Sequence, residues 1–201
     1  MAEVHEQFAV RPFPELTGLG LRLRAWDAES DADVAAYLRG LTDPEFRRWN
    51  TPLRPVHGID DARRSLRARL AGAADGSAVS FCVTDAEGGA ALGHIGLNEI
   101  DHVMSCARVG YWVLPEARGR AVATRALTLA ARYGFTGLAL NRLDLGHAVG
   151  HAVSCRVAER CGFRAEGTLR GAMFEEGRRD AFRDVHLHGR VRSDPEPAPA
   201  E

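Results

Sequence analysis

The chain has 201 residues, a formal net charge of −1 and no lysine, so that all its 26 strongly basic residues are arginines. This length fits one domain with a substantial hydrophobic core. The near-neutral charge gives no reason to expect a nucleic acid or an anionic membrane as a partner. The N-terminus lacks a signal-peptide pattern and no apolar run approaches membrane-spanning length, so we expect a cytoplasmic protein.

The first third of the chain predicts one strand and three short helices. Residues 1–20 are expected to form a loosely ordered arm, and the alternation of apolar and basic residues from Leu21 to Ala25 predicts a strand. Ser30 is placed as the N-cap of the first helix, which Gly40 is expected to end. Two more N-cap signals predict the second and third helices, at Asp43-Pro44 and Asp60-Asp61.

The middle of the chain predicts β-structure. Residues 78–84 and 91–97 are apolar, β-branched or aromatic segments on either side of a turn at 85–89, which indicates a hairpin. A second turn at 101–105 leads to a strand over 107–114. These three segments predict an antiparallel meander.

The stretch VGYWVLPEARGRAVATRALTLAARYGF, residues 109–135, predicts a strand to Leu114, a loop over 115–120 and a helix from Ala121 to about Arg132. Free backbone N–H groups at a helix start, beside two arginines, are suited to an anion. An ordinary strand-loop-helix connection with surface arginines is the alternative. A Rossmann dinucleotide site is disfavoured, because the loop has one glycine where that fingerprint has three.

The last third predicts a strand over 142–145, a helix over 151–161 that Gly162 ends, and two strands over 163–169 and 182–191. The proline-rich acidic tail, residues 193–201, is expected to be disordered. A meander followed by alternating strands and helices predicts a mixed α/β or α+β domain. The four cysteines have no metal-ligand spacing, so we expect reduced, structural thiols and no metal centre: they are Cys82, Cys106, Cys155 and Cys161.

Two motifs, GYWVLPEARGRAVATRAL and SCRVAERCGF, resemble the GNAT (GCN5-related N-acetyltransferase) superfamily, and within it the ribosomal-protein-alanine acetyltransferase-like (RimJ/RimL-type) branch. The resemblance covers about residues 21–190, and it implies one GNAT acyltransferase domain over 21–192. It implies a mostly antiparallel central sheet that is splayed between two strands, with helices on both faces and acyl-coenzyme A in the gap. Dimers are frequent in the superfamily, so a homodimer is one expectation.

The resemblance implies a pyrophosphate-binding loop from Arg118 to Ala123, flanked by the side chains of Arg118 and Arg120. The strand backbone near Trp112 and Val113 would pair with the pantetheine arm and polarise the thioester carbonyl. The residues that the resemblance assigns to coenzyme A are Trp112, Val113, Arg118, Gly119, Arg120, Ala121, Val122, Ala123, Thr124 and His151. The donor it implies is acetyl-coenzyme A, with no metal.

The second motif implies that Ser154 protonates the leaving thiolate. Three residues depart from the superfamily pattern. Ala121 and His151 replace a preferred glycine and a common asparagine, and Arg108 stands where relatives often carry a glutamate base. The nearest candidate bases are then Glu99, Asp101 and His102.

The function that the resemblance implies is direct transfer of an acetyl group from acetyl-coenzyme A to a primary amine, in a ternary complex. The acceptor is a peptide N-terminus or a small molecule such as an antibiotic or polyamine. The three departures leave open a non-catalytic acyl-coenzyme A-binding module and a scaffold without coenzyme A. Arg108 also suits a dicarboxylic donor such as succinyl-coenzyme A.

Overall fold

The structure, a computed structural model, describes residues 13–52 and 54–197. Its strands are β1 (Leu16–Gly18), β2 (Leu21–Ala25), β3 (Val79–Asp85), β4 (Gly88–Asp101), β5 (Cys106–Val113), β6 (Arg142–Ala148), β7 (Arg164–Glu175) and β8 (Arg178–Val191). Its helices are α1 (Asp31–Thr42), α2 (Pro44–Trp49), α3 (Ile59–Ala74), α4 (Val122–Thr136) and α5 (Ala152–Arg160), with a 3₁₀ turn at Pro115–Ala117. The strands form one mixed sheet in the order β1-β2-β3-β4-β5-β6-β8-β7, which confirms the predicted fold class.

Helices cover both faces of this sheet because side chains alternate along its strands. Phe81 on β3 lies in the core beneath α4, whereas its neighbour Cys82 lies in a second core with α1 and α3. In β5, Val109 belongs to the first core and Trp112 to the second. Within the described ranges, no helix combines the length and apolar character needed to cross a membrane.

The sheet is antiparallel except between β5 and β6, which run parallel. Their pairing extends from Cys106 with Arg142 to Val109 with Leu145 and then stops, although both strands continue. The last four residues of β5, Gly110–Val113, therefore lack a strand partner on the β6 side. This confirms the expected splay and opens a gap in the middle of the sheet.

Both predicted flexible ends are ordered where the structure describes them. Leu16–Gly18 pair with Leu21–Leu23, so the expectation of a loose arm was wrong for residues 13–20, while residues 1–12 lie outside the described part of the chain. In the tail, Asp194 accepts a hydrogen bond from the Val191 N–H (2.9 Å) and pairs with Arg164 (3.0 Å). Residues 193–197 are thus held by specific polar contacts, and residues 198–201 lie outside the description.

Gly40 does not end α1, which continues to Thr42. The glycine serves a close approach instead: a Cβ placed on it would come within 2.3 Å of the Trp112 ring. The absence of a side chain therefore lets α1 lie directly against β5. Helix propensity was outweighed here by packing between two elements far apart in sequence.

Candidate active site

A cleft of about 530 Å³ lies where β5 and β6 separate. Four segments line it: the end of β5, the loop and first turn of α4, helix α5, and helix α2. The lining residues are Glu45, Phe46, Trp49, Asn50, Tyr111, Trp112, Val113, Ala117, Arg118, Gly119, Ala121, Val122, Ala123, Thr124, His151, Val153, Ser154, Arg156, Val157 and Arg160. Of the residues assigned to coenzyme A from sequence, all except Arg120 are among them.

The open edge of β5 presents polar backbone groups to this cleft. The Leu114 N–H donates to Leu92 O on β4 (2.9 Å), so Trp112 and Leu114 direct their backbone groups toward β4. Alternation along the strand then directs the N–H and C=O of Val113 toward the gap. Consistent with this, Val113 O accepts a hydrogen bond from Arg118 Nε (3.2 Å).

The loop before α4 bends sharply through two residues with left-handed backbone. Gly119 has φ 75° and Ala121, the N-cap residue of α4, has φ 52°. No side chain caps this helix start, so backbone N–H groups of its first turn are available to an anion. For alanine the left-handed conformation costs about 1 kcal/mol, which explains the glycine that the superfamily prefers at this position.

The two loop arginines point in different directions. Arg118 lines the cleft, and its guanidinium pairs with the buried carboxylate of Asp43, which also caps α2 by accepting from the Phe46 N–H (3.1 Å). Arg120 instead pairs with Asp85 (3.2 Å) at the turn between β3 and β4. The structure therefore brings Arg118 into the cleft and leaves the Arg120 side chain outside it.

Ser154 is buried at the first turn of α5, and its hydroxyl lies 2.7 Å from the hydroxyl of Tyr111 on β5. Burial raises the pKa of Tyr111 to about 12, against the lowering effect of the Ser154 hydrogen bond. Tyr111 was not predicted as a site residue. Its position one residue before Trp112, on the opposite face of β5, was the available signal.

His151 stacks on Trp49 of α2, with ring centroids 4.5 Å apart and planes 4° apart. Burial, together with repulsion from His147, lowers the pKa of His151 to about 4. The imidazole is therefore uncharged near neutral pH. Trp49 is oriented in turn by Glu45, whose Oε1 accepts from the indole N–H (2.8 Å).

The candidate bases predicted from sequence do not line the cleft. Glu99 is exposed and pairs with Arg108 (3.2 Å). Asp101 accepts from two backbone N–H groups of its own turn, and His102 hydrogen-bonds Gly76 O (3.1 Å). Among the lining residues the sole carboxylate is that of Glu45, which sequence reasoning missed.

Three arginine side chains contribute positive charge to the cleft wall. Arg118 comes from the loop before α4, and Arg156 and Arg160 lie one turn apart on α5. The α5 arginines were not predicted as site residues, because a basic helix residue is ordinarily a solvated one. No cysteine is among the residues that line this cleft.

Known proteins match this chain in both sequence and fold. The sequence profile described as "Acetyltransferase (GNAT) domain" matches residues 20–164. The putative ribosomal N-acetyltransferase YdaF of Bacillus subtilis (strain 168) is 37% identical over 89 residues, which is 44% of this chain and 49%, about half, of that protein. The ribosomal-protein-serine acetyltransferase of Escherichia coli (strain K12) is 29% identical over 137 residues, covering 68% of this chain and 73% of the relative.

Among solved structures, the ribosomal L7/L12 alpha-N-protein acetyltransferase RimL, in complex with coenzyme A, superimposes with a TM-score of 0.78 at 19% identity. The superposition covers 89% of this chain and 98% of RimL, which shows a shared fold. The profile match spans most of the described sheet, including β5, the loop before α4, and α5. The chain therefore belongs to the GNAT family of acyl-coenzyme A-dependent N-acetyltransferases, as its two motifs predicted.

Proposed function

We propose that the chain binds acetyl-coenzyme A in the cleft between β5 and α5 and transfers the acetyl group directly to a primary amine. One observation carries this proposal: an uncapped helix start, an open strand edge and a partly buried hydroxyl pair all face the same cleft. These three features suit the pyrophosphate, the pantetheine amide groups and the thioester respectively. The RimL structure, solved with coenzyme A, supports this by its likeness in fold.

The phosphate end of the donor fits the basic wall of the cleft. Backbone N–H groups from Gly119 to Thr124 donate hydrogen bonds to the pyrophosphate at the N-terminus of α4, where the helix dipole favours negative charge. The guanidinium of Arg118 adds a charge-assisted hydrogen bond, and Arg156 and Arg160 supply further positive charge along α5. Arg120 contributes through its backbone.

The reacting end of the donor fits the strand edge and the hydroxyl pair. The pantetheine arm pairs with the β5 backbone as an added strand, and the Val113 N–H stabilises the oxyanion that forms when a neutral amine attacks the thioester carbonyl. The two hydroxyl groups lie 2.7 Å apart, and with Tyr111 as the donor the serine proton is directed at the departing sulfur. The proton that the attacking nitrogen loses then restores the serine hydroxyl. Because no cysteine lines the cleft, direct transfer is favoured over an acyl-enzyme.

The acceptor enters beside α2, where Glu45 supplies a carboxylate for an ammonium group. Glu45 also holds Trp49 against His151, so this wall is preorganised. A peptide N-terminus, to which the name of RimL as an alpha-N-protein acetyltransferase points, and a small polyamine both present such a group. Arg108, which suggested a dicarboxylic donor, is paired with Glu99 outside the cleft, and this favours acetyl over succinyl.

The experiment is a calorimetric titration with coenzyme A, acetyl-coenzyme A, succinyl-coenzyme A and NAD, followed by thiol release assays. The assay panel contains peptides with N-terminal Ser, Ala and Met, spermidine and an aminoglycoside. Tight binding of acetyl-coenzyme A, none of NAD and turnover of one panel amine are expected. Binding without turnover of any amine would instead favour a non-catalytic acyl-coenzyme A module, and no binding would favour a scaffold.

A further inference from the structure

Three histidines and one cysteine converge behind the cleft, on the side of α5 that faces β6 and β8. They are His147, Cys155, His186 and His188, and one potential ligand atom from each lies within 4.8 Å of the other three. None of the four lines the acetyl-coenzyme A cleft. The cluster is therefore separate from the proposed transfer site, although Cys155 directly follows Ser154.

The fold brings these residues together from distant parts of the sequence. His147 on β6 is the cross-strand partner of His186 on β8. His188 lies two residues further along β8, so it projects from the same face of the sheet. Helix α5 covers that face and brings the Cys155 sulfur to 3.8 Å from His186 Nδ1.

Two of the histidine nitrogen atoms in the cluster face each other at short distance. His147 Nδ1 lies 3.0 Å from the carbonyl oxygen of Ala148, so this nitrogen carries the proton and Nε2 holds a free lone pair. That Nε2 lies 3.2 Å from His188 Nε2. A carbonyl that fixes the outer nitrogen of a histidine is the usual support of a metal-ligating imidazole.

The ring of His188 is fully buried, and its Nδ1 makes no hydrogen bond of normal geometry with the described residues. In the present pairing with His147, the His188 proton must lie on Nε2. With both Nε2 atoms on an ion, the proton moves to Nδ1, beside the backbone carbonyl of Phe163 that interacts with this ring. Metal binding would thus place a proton on this buried nitrogen, which could then donate it to the Phe163 carbonyl.

We propose that His147, Cys155, His186 and His188 form a tetrahedral site for a divalent transition-metal ion, with zinc as the ion that three imidazoles and one thiolate fit best. Zinc bonds of about 2.0–2.1 Å to nitrogen and about 2.3 Å to sulfur place tetrahedral ligand atoms roughly 3.3–3.7 Å apart. The cluster needs to contract by about 1 Å at its widest to reach that arrangement. The thiol proton leaves to solvent as the thiolate binds.

An ion at this position would join α5 to β6 and β8. The helix carries Ser154 one residue before the cysteine ligand, so the ion would hold the serine hydroxyl in place relative to the sheet. The site is thus a positioning element for α5 rather than a part of the reaction. Sequence spacing gave no sign of it, because the ligands come from three elements and only one of them is a cysteine.

The test is a cobalt(II) titration of the untagged, chelator-stripped chain. We expect one cobalt ion per chain, the intense visible bands of four-coordinate cobalt, a thiolate-to-cobalt charge-transfer band, and displacement of all three signals by zinc. Zinc should also raise the melting temperature of this protein. Pale six-coordinate spectra, or less than one tightly bound ion, would overturn the proposal.

Two pairs of variants locate the site. Cys155→Ser should abolish the charge-transfer band and weaken cobalt binding at least about tenfold, whereas Cys106→Ser, a thiol of similar exposure on β5, should change neither. His186→Ala should weaken binding at least about tenfold, and His102→Ala on a surface turn should not. If the His186→Ala variant does not fold, the comparison of Cys155→Ser with Cys106→Ser decides whether the site exists. A charge-transfer band that persists in Cys155→Ser would refute the site.

Discussion

Tyr111 and Ser154 connect β5 to α5 through two hydroxyl groups that lie 2.7 Å apart at the wall of the cleft. The raised pKa of Tyr111, about 12, keeps the phenol protonated at every pH at which a GNAT enzyme would be assayed. Its proton can then be donated to Ser154 without being lost to solvent. With Tyr111 as the donor, as proposed above, the pair would form a directed chain of hydrogen bonds toward a ligand in the cleft.

The first prediction concerns this pair. Ser154→Ala should lower kcat by about a hundredfold, because it removes the proposed donor to the leaving sulfur. Tyr111→Phe should lower kcat by about tenfold, since it removes only the group that orients the serine. Stopped or continuous assays of thiol release measure both values, and KM for acetyl-coenzyme A should change little in either variant.

The double variant tests whether the two hydroxyls act as one unit. If Tyr111 acts through Ser154, adding Tyr111→Phe to Ser154→Ala should cause no further loss of kcat. Multiplied effects in the double variant would mean that the hydroxyls act independently, and the proposed direction of donation would be wrong.

The second prediction separates the two loop arginines. Arg118→Ala should weaken coenzyme A binding by about tenfold, which corresponds to about 1.4 kcal/mol, because it removes a cation from the cleft wall. Arg120→Ala should change the dissociation constant by no more than about twofold, since it breaks only an exposed ion pair with Asp85. Isothermal titration calorimetry gives both numbers. Equal losses in the two variants would mean that Arg120 turns toward the bound cofactor.

The third prediction uses two alanines with the same backbone strain. Ala121 and Ala139 have φ 52° and φ 55°, but only Ala121 lines the cleft. Glycine at either position relieves this strain but gives the unfolded chain more conformational entropy. The net effect should be a stabilisation of up to about 1 kcal/mol, which corresponds to a rise of about 2–4 °C in Tm.

The effect on binding should distinguish the two positions. Ala121→Gly removes a methyl group from the proposed pyrophosphate-binding loop and should tighten coenzyme A binding, whereas Ala139→Gly should leave the affinity as it is. Unchanged affinity in both variants would mean that the methyl group does not crowd the phosphate, and that the superfamily glycine serves backbone conformation alone.

The fourth prediction compares two carboxylates. Glu45→Gln should raise KM for the amine acceptor severalfold to about tenfold, because it neutralises the sole carboxylate among the cleft-lining residues. Glu99→Gln should have a smaller effect, since this side chain is exposed and paired with Arg108. Steady-state kinetics with varied amine decide between them. A large fall in kcat for the Glu99 variant would restore Glu99 as the general base.

The fifth prediction concerns acid stability at the start of α1. Asp33 is buried and accepts hydrogen bonds from Arg24 (2.6 and 2.9 Å) and from the Asp27 N–H (2.9 Å). Burial by itself would raise the pKa of Asp33, but the Arg24 and Asp27 hydrogen bonds outweigh it and hold the pKa below its ordinary value of 3.8. The ionised carboxylate therefore stabilises the folded chain.

This stabilisation is fully present above the unfolded pKa and is lost as the pH falls through the lower, folded pKa. Asp33→Asn should consequently lower the free energy of unfolding by about 2 kcal/mol at neutral pH. The difference between the two proteins should shrink below about pH 4. Urea denaturation at a series of pH values measures the free energy of unfolding of both proteins. If their difference stays constant into strong acid, the ionised carboxylate of Asp33 is not its source.

Local sequence signals were sufficient for much of the fold. The alternation in Leu21–Ala25 predicted β2 with its observed bounds, and Asp43 with the following proline marked the start of α2. The strand, loop and helix around Arg118 were also visible, because each has its own periodicity or turn chemistry. These features depend on neighbours within a few residues.

The parts that could not be predicted depend on contacts through space. Arg118 and Arg120 are two residues apart in one loop, but each pairs with an aspartate that is distant in sequence. Asp43 holds Arg118 at the cleft, whereas Asp85 holds Arg120 outside it. In the same way, α2 was predicted as a helix, but nothing local indicated that Glu45 would reach the site. Tertiary packing decided each case.

The early end of the β5–β6 pairing also has a consequence for the chain without its donor. Backbone groups of Gly110–Val113 on the β6 side have no partner strand, although they lie in the interior of the sheet rather than at its rim. The amide of Val113 should therefore exchange with deuterium much faster than that of Val109, its paired neighbour in the same strand. Saturating coenzyme A should slow it, because the pantetheine arm would act as the missing strand that completes the ladder.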